Sequence, residues 1–177
     1  LKNLKNSKMN YKNFQGKYFI FLSLVLGWIL LIFLVPVLKG WGFYRTSGMI
    51  YYFFSIIDHQ IPERSFFIFG EQLGVCVRCT AIYVMFFVGS LLYPFFIKND
   101  KLMEVRWLVI FIMPLLVDGF SQLVGLREST NTIRVITGIL AGIILPFYII
   151  PGYLSMIEEV KSFINNKDIR GVDGIST

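Results

Sequence analysis

The chain has 177 residues and a formal net charge of +6; 55% of its residues are hydrophobic and only 16% are charged. Soluble domains usually carry about a quarter charged residues, so this composition argues against an ordinary soluble domain and predicts a protein solvated by lipid. The length suits one domain of a few spans. The chain has no basic stripe interleaved with aromatic residues outside its apolar runs, so its sequence does not indicate a nucleic-acid partner.

Four apolar runs are each long enough to cross a bilayer, which takes about 20 residues. The first, residues 18–38, carries no charge and is longer than the apolar region of a signal peptide, so we interpret it as a retained anchor. The other three cover about residues 79–97, 107–126 and 132–157. A shorter run, residues 46–57, predicts an interfacial or re-entrant helix. The predicted fold is therefore an all-α membrane protein, a bundle of four transmembrane helices plus one interfacial or re-entrant helix.

Basic residues near the ends of the spans predict the orientation. Residues 1–17 contain five lysines and no acid, and the link after the second span is also basic. We therefore expect a multi-pass protein of a cell membrane with both termini in the cytoplasm. Its parts would be a basic cytoplasmic segment at 1–17, a helical membrane domain at 18–157 and a short cytoplasmic tail at 158–177.

Residues 58–83 hold the only histidine and both cysteines of the chain. Cys76 and Cys79 form a C-x-x-C pair, a spacing that serves metal chelation or thiol–disulfide exchange. Together with Asp58 and His59 they could form a tetrahedral site for zinc or another transition metal. A redox pair or disulfide on the outer face, or two inert cysteines, are the alternatives. A second helix that begins by Val75 would place both cysteines on one helical face.

Residues 118–134 form a second polar cluster, which begins inside the third span. Asp118 and Gln122 share one helix face and are the catalytic candidates, as groups that orient a substrate or a water. An acid within a span costs about 2.5–3.5 kcal/mol, so Asp118 should face the bundle interior beside a cation. The available cations are Arg64, Arg78, Arg127 and Arg134.

An anion site is predicted around the start of the fourth span, because a helix N-terminus flanked by arginines suits a phosphate or carboxylate. The predicted substrate-binding residues are Arg64, Arg127, Glu128, Ser129, Asn131 and Arg134. The competing interpretation is a tight turn in which Ser129 or Asn131 caps the fourth helix. Further along, Gly138 and Gly142 give one face of that helix a flat groove where another backbone can approach. With the inferred topology, both polar clusters reach the same membrane surface.

The motifs of these two clusters resemble a known family. They are "DHQIPERSFFIFG", "CVRCTAIY", "DGFSQ" and "RESTNTIR", spread over about residues 58–142. They resemble small prokaryotic integral-membrane proteins catalogued as domain of unknown function 2085. In that family the first motif begins Cys-His-Gln, so the resemblance implies a Cys₃His metal site in which Asp58 replaces the first cysteine. Ala81 and Ser121 replace a glycine and a threonine of the family pattern. The resemblance implies no activity.

The last two spans are also similar to the VanZ-like membrane family, which is linked to glycopeptide resistance, and this implies a role at the cell envelope. Our first hypothesis is a metal-supported polar pocket near the outer face that binds or processes an anionic lipid-like or lipid-linked envelope molecule. The second is a thiol–disulfide or electron-transfer protein that uses Cys76 and Cys79. The third is a non-catalytic scaffold. The sequence leaves open whether the protein is an enzyme or a homo-oligomer.

Overall fold

A computed structural model of the chain describes residues 11–96 and 103–173. Residues 1–10 of the predicted basic segment and residues 174–177 of the predicted tail therefore lie outside the described residues. The helices are α1 (Tyr11–Gly40), α2 (Tyr44–Ser55), α3 (Val77–Phe96), α4 (Val105–Leu123), α5 (Asn131–Ile144) and α6 (Pro146–Asp173). A 3₁₀ turn, Pro62–Arg64, precedes two strands, β1 (Ser65–Ile68) and β2 (Glu71–Cys76).

The predicted four-span bundle is confirmed. Four helical stretches are long and apolar enough to cross a membrane: Gln15–Gly40, Val77–Phe96, Val105–Leu123 and Asn131–Phe163. The fourth is interrupted at Pro146, which has no N–H to continue the hydrogen-bond ladder of α5. Helix α2 is the predicted additional short helix. Helix α6 crosses residue 157 without a break, so the predicted boundary between membrane domain and tail falls inside a helix.

A small antiparallel β-hairpin, which the sequence analysis did not assign as strands, precedes the second span. Its two-residue turn consists of Phe69 at φ 54° and Gly70 at φ 78°. This pair of positive φ values is typical of the tight turns that match the twist of a hairpin. Cys76 is the last residue of β2 and pairs with Ser65, and α3 begins only at Val77. The condition under which both cysteines would share one helical face, a helix that begins by Val75, is therefore not met.

The apolar core has two parts, one towards each end of α1. The first joins α1, α3 and the α5–α6 region through Tyr18, Phe21, Tyr93, Ile144, Phe147, Ile150 and Leu154. The second joins α1, α2 and β2 through Ile32, Val35, Phe54, Leu73 and Val75. The second part fixes the hairpin against α1 and α2, and this contact positions the loop at 56–64 that carries Asp58.

Helix α5 packs against both α3 and α4. A Cβ atom on Gly138 would lie 2.7 Å from the carbonyl oxygen of Arg78, and one on Gly142 would lie 2.5 Å from that of Ile82. Because real Cβ atoms do not approach other atoms this closely, only glycine permits this spacing of α3 and α5. The predicted close backbone approach along this glycine face is confirmed.

Candidate metal and anion site

A cavity of about 330 Å³ lies between the 56–64 loop, the end of β2 and helices α3, α4 and α5. Its lining residues are Ile57, Asp58, His59, Ile61, Arg64, Cys76, Arg78, Cys79, Gln122 and Arg134. The two polar clusters of the sequence therefore meet around one cavity. The volume is at the lower end of the range for small-molecule sites, roughly 300–1,000 Å³, and suits a ligand of head-group size.

Three potential metal ligands lie close together in the lining of this cavity. One carboxylate oxygen of Asp58 and the sulfurs of Cys76 and Cys79 all lie within 4.8 Å of one another. Asp58 is buried, at 7% exposure, while both cysteines are half-buried and free. Each ligand comes from a different element: a loop, the end of β2 and the first turn of α3. Thiolate and carboxylate ligands are a donor set that zinc accepts.

His59, the fourth predicted ligand, lines the same cavity, but its side chain is exposed. Among the described side chains, the group close enough to hold one ion contains Asp58, Cys76 and Cys79 without His59. The structure therefore brings together three of the four predicted ligands and places the fourth residue beside them. The role of His59 as a ligand stays a prediction.

Gln60 holds the loop that carries Asp58, and the sequence analysis missed it. Its backbone has φ 47°, which is unusual for a residue other than glycine. Its side-chain Nε2 donates to the carbonyl oxygens of Tyr51 (2.9 Å) and Gly74 (2.8 Å), and its own carbonyl accepts from Gln72 (2.7 Å). Gln60 thus ties the loop to α2 and β2. The glutamine in the family motif was the only signal in the sequence that pointed to it.

The local hydrogen bonds lower the pKa of two candidate ligands, Asp58 and Cys76, although the Cys76 thiol no longer donates to Asp58 once it is a thiolate. Burial raises the pKa of Asp58, but hydrogen bonds from the Cys76 thiol and the Gln60 N–H outweigh it and leave that pKa below its ordinary value. A hydrogen bond from Cys79 lowers the pKa of Cys76, and it outweighs burial and the nearby Asp58, which raise that pKa. Deprotonated carboxylates and thiolates are the forms that bind metal ions.

Asp118 is buried, at 2% exposure, and three side chains donate to its carboxylate. Oδ2 accepts from Nη2 of Arg78 and from Nε2 of Gln122 (3.0 Å), while Oδ1 accepts from Nη2 of Arg127 (3.0 Å). The acid therefore has cationic partners, as its position in a span requires. Of the two predicted catalytic residues, Gln122 lines the cavity and Asp118 lies behind it, bound to Arg78, which does line it.

Arg134 extends this network towards the hairpin. It is 6% exposed, and its Nη atoms donate to Oε1 of Gln122 (3.2 Å) and Oδ1 of Asn131 (2.9 Å). Asn131 in turn donates to the carbonyl oxygen of Glu63 (3.1 Å). Within the described ranges, neither Arg134 nor Arg64 forms a salt bridge with a carboxylate. Two cavity arginines thus form no direct salt bridge within the described part of the protein, and Arg134 feels the charge of Asp118 only at longer range.

The other residues predicted to bind substrate lie outside the cavity lining. Arg127 binds Asp118, Glu128 is exposed and Ser129 is buried in the turn before α5. The cap of α5 is Thr130, whose hydroxyl accepts from the N–H of Ile133 (3.4 Å). The expectation that Ser129 or Asn131 caps this helix is therefore wrong. Of the six predicted substrate-binding residues, Arg64 and Arg134 line the cavity.

The spans and the buried polar network define a multi-pass membrane protein. Residues 58–148 match the family described as "Predicted membrane protein (DUF2085)", and the chain belongs to this family. An uncharacterized protein of Methanocaldococcus jannaschii is 44% identical over 149 residues, which cover 80% of this chain and 96% of the relative. An uncharacterized protein of Methanothermobacter thermautotrophicus is 42% identical over 91 residues, 51% of this chain and 81% of the relative. No solved structure matches the chain.

The family match confirms the resemblance noted in the sequence motifs. It begins at Asp58 and ends after α5, so it contains every cavity-lining residue except Ile57. The partial similarity to the VanZ-like family stays a prediction. The shared region is thus the region that builds the cavity, although the family's description states no activity.

Proposed function

We propose that this membrane protein binds an anionic, lipid-like or lipid-linked envelope molecule in the cavity, beside a metal ion held by Asp58, Cys76 and Cys79. The observation that carries the proposal is the pair of cavity arginines, Arg64 and Arg134, that lack a carboxylate partner in the described chain. A cation that leaves water without a counter-charge is costly, and an anion supplied by a ligand removes that cost. Guanidinium groups also match phosphate and carboxylate geometry.

The carboxylate of Asp58 and the thiols of Cys76 and Cys79 support zinc or another transition metal as the bound ion. Two thiolates favour zinc over magnesium or calcium, which prefer oxygen ligands. An ion here would connect the 56–64 loop to β2 and α3 and would order the cavity wall. Asp118 and Gln122 are the candidates for orienting a substrate or a water if the bound molecule is also processed.

Exposed aromatic side chains support a ligand that comes from the membrane. Trp41 directly follows α1, and Phe66, Phe67 and Phe69 lie on the hairpin; all four are exposed. Aromatic side chains are enriched at the membrane interface, so we place the hairpin at head-group depth, where an amphiphilic anion can reach the cavity. With both termini in the cytoplasm, this surface is the outer one. Protease accessibility of a C-terminal tag in intact cells and in inverted vesicles tests that orientation.

Metal analysis and lipid binding test the proposal. The full-length protein, purified in detergent, should contain about one zinc or other transition-metal ion per chain, and the Cys76→Ser/Cys79→Ser variant should lose it. The protein should bind an anionic phospholipid doped into the micelles more strongly than a zwitterionic one. The Arg64→Gln variant should lose that preference, whereas Arg106→Gln, which removes an exposed arginine, should keep it. Equal binding of both lipids by the unmodified protein would contradict the proposal.

A second candidate is thiol–disulfide or electron transfer through Cys76 and Cys79. The observation that favours it is two free cysteines whose sulfurs lie within 4.8 Å at the start of a helix. A thiol at a helix N-terminus is easily ionised and reacts readily. Two thiols that titrate reversibly against a redox buffer in metal-free protein, with no metal in the protein as isolated, would favour this candidate. If the protein shows neither bound metal nor redox activity, a non-catalytic scaffold is the remaining candidate.

A further inference from the structure

We infer that the metal ion uses only three protein ligands and that its fourth position opens into the cavity, where an oxygen of a phosphate group completes the coordination. The phosphate is a monoester or free phosphate, and its remaining oxygens face Arg64 and Arg134. This inference rests on the proposed function and extends it: the ion becomes part of the ligand-binding surface, and the ligand class becomes a phosphate.

The described side chains supply three ligands for the ion. Three ligand atoms, from Asp58, Cys76 and Cys79, lie within 4.8 Å of one another, while the His59 side chain is exposed and outside this group. Zinc in proteins takes four ligands when its role is structural, and three plus an exchangeable one when it acts on a ligand. The set observed here is of the second kind.

The three ligand residues line the cavity, and Arg64 and Arg134 line it too. An ion held by the three donors would therefore lie beside the two guanidinium groups. A single ligand in a cavity of about 330 Å³ can contact both.

The charge balance identifies the ligand class. A divalent ion with two thiolates and one carboxylate has a formal charge of minus one, which alone would repel an anion. Arg64 and Arg134 line the same cavity and reverse this sign. Asp118 is paired with both Arg78 and Arg127, and this group carries one further net positive charge, so the excess is two. A phosphate monoester carries about −1.5 to −2 at pH 7 and has three terminal oxygens, one for the ion and two for arginines. A carboxylate has half that charge and one oxygen fewer.

Arg64 offers the cleanest variant for a test. Its side chain makes no hydrogen bond or ion pair with the described part of the protein, and only its backbone N–H is bonded, to Ile61 (3.0 Å). Removing its charge therefore breaks no internal contact. Arg106 is the matched control, because it is an exposed arginine paired with Glu104 at the opposite end of α4.

The experiment uses full-length protein in detergent, loaded with Co²⁺, which takes the ligands of zinc and absorbs visible light according to its coordination. Inorganic phosphate is added while the cobalt bands are followed, and phosphate binding is measured in parallel by equilibrium dialysis. We expect one cobalt per chain and bands that change as phosphate saturates the site. Arg64→Gln should weaken the phosphate response by about tenfold or more, Arg106→Gln should not change it, and His59→Ala should leave the cobalt spectrum unchanged.

The outcomes separate this inference from the proposed function. Phosphate that binds without changing the cobalt bands would overturn the inference and leave an anion pocket beside a closed metal site. A His59→Ala variant that loses cobalt or changes its spectrum would also overturn it, because His59 would then be the fourth ligand. Protein that binds neither cobalt nor phosphate would remove the proposed function as well. These readouts use unmodified protein or an exposed residue, so they stand even if Arg64→Gln misfolds.

A further arm separates the two sources of the phosphate group. A short-chain lipid with a terminal phosphate monoester is added in competition with inorganic phosphate. Displacement at a much lower concentration than that of inorganic phosphate indicates a lipid head group as the ligand, and displacement at equal concentration indicates free phosphate. Either result supports a phosphate on the metal. Bound phosphate that is displaced neither by this lipid nor by excess inorganic phosphate would contradict it.

Discussion

Arg78 and Asp118 are 40 residues apart in the chain, yet the guanidinium of Arg78 on α3 donates directly to the carboxylate of Asp118 on α4. Asp118 is 2% exposed, and Arg127 occupies its second oxygen at 3.0 Å. Helix α5 packs against both α3 and α4, so this ion pair closes the three-helix group at its polar end. Arg78 also lines the cavity, and the pair therefore fixes one part of the cavity wall.

The variant Asp118→Asn should be strongly destabilised. It leaves the buried part of Arg78 without a counter-charge, and breaking a buried ion pair from one side costs about 3–5 kcal/mol. The measurement is the free energy of unfolding in mixed micelles. Glu104→Gln is the matched control, since it breaks the exposed pair with Arg106 and should cost less than about 1 kcal/mol. Equal effects of the two substitutions would show that Asp118 is not energetically paired.

The variant Gly138→Ala should separate α3 from α5. Its new methyl group would lie 2.7 Å from the backbone oxygen of Arg78, which cannot move without its helix. Overpacking of this kind costs about 1–3 kcal/mol, and we expect anion binding to weaken as well because Arg78 and Arg134 are displaced relative to each other. Gly27→Ala is the control, because no atom lies within 4 Å of the added methyl on α1. A Gly138→Ala protein as stable as Gly27→Ala would contradict the close packing.

The variant Gln60→Ala should release the loop of Asp58. It removes two hydrogen bonds to the carbonyls of Tyr51 and Gly74, each worth about 0.5–1.5 kcal/mol. We expect lower thermal stability and weaker metal binding, measured by metal competition with a chelator. Gln15→Ala, at an exposed site on α1, should change neither. Metal affinity that survives Gln60→Ala would show that the ligand geometry does not depend on this clamp.

The alkylation of Cys76 should persist to lower pH than that of an ordinary thiol. A hydrogen bond from Cys79 is the largest cause of its lowered pKa, so the reactive thiolate is lost only as pH falls through that lowered value. Mass spectrometry of metal-free protein, alkylated across a pH series, gives the midpoint. In Cys79→Ala the hydrogen bond is absent and the midpoint should move to higher pH. A midpoint that stays in place would assign the lowered pKa to another cause.

Features that depend on local patterns were predictable from the sequence. The spans follow from apolar runs of bilayer length, and the close helix contact follows from Gly138 and Gly142 at a spacing of four. The convergence of the two polar clusters followed from topology, because alternate links between spans lie on the same side. The pairing of Asp118 with a cation followed from the cost of an isolated charge in a span.

The hairpin could not be predicted in the same way. Its turn is Phe69-Gly70, although the usual sequence signal for such a turn is Asn-Gly or Asp-Gly, and a phenylalanine at positive φ has no local pattern that announces it. Contacts of β2 with α1 and α2 override this weak local preference. The left-handed conformation of Gln60 is likewise set by three long-range hydrogen bonds, and the exposure of His59 follows from how that loop is held.

The three candidate ligands belong to three different kinds of backbone, with Asp58 on a loop, Cys76 at the end of a strand and Cys79 on a helix. An ion bound there would act as a cross-link between parts of the chain that share no covalent tie. The apolar core that joins α1, α3 and α6 contains none of these ligands, whereas the cavity lining contains all three. Depletion of the ion should therefore leave the protein inserted in the membrane while the cavity lining loses its shape, which would make any binding in the cavity depend on the supply of metal.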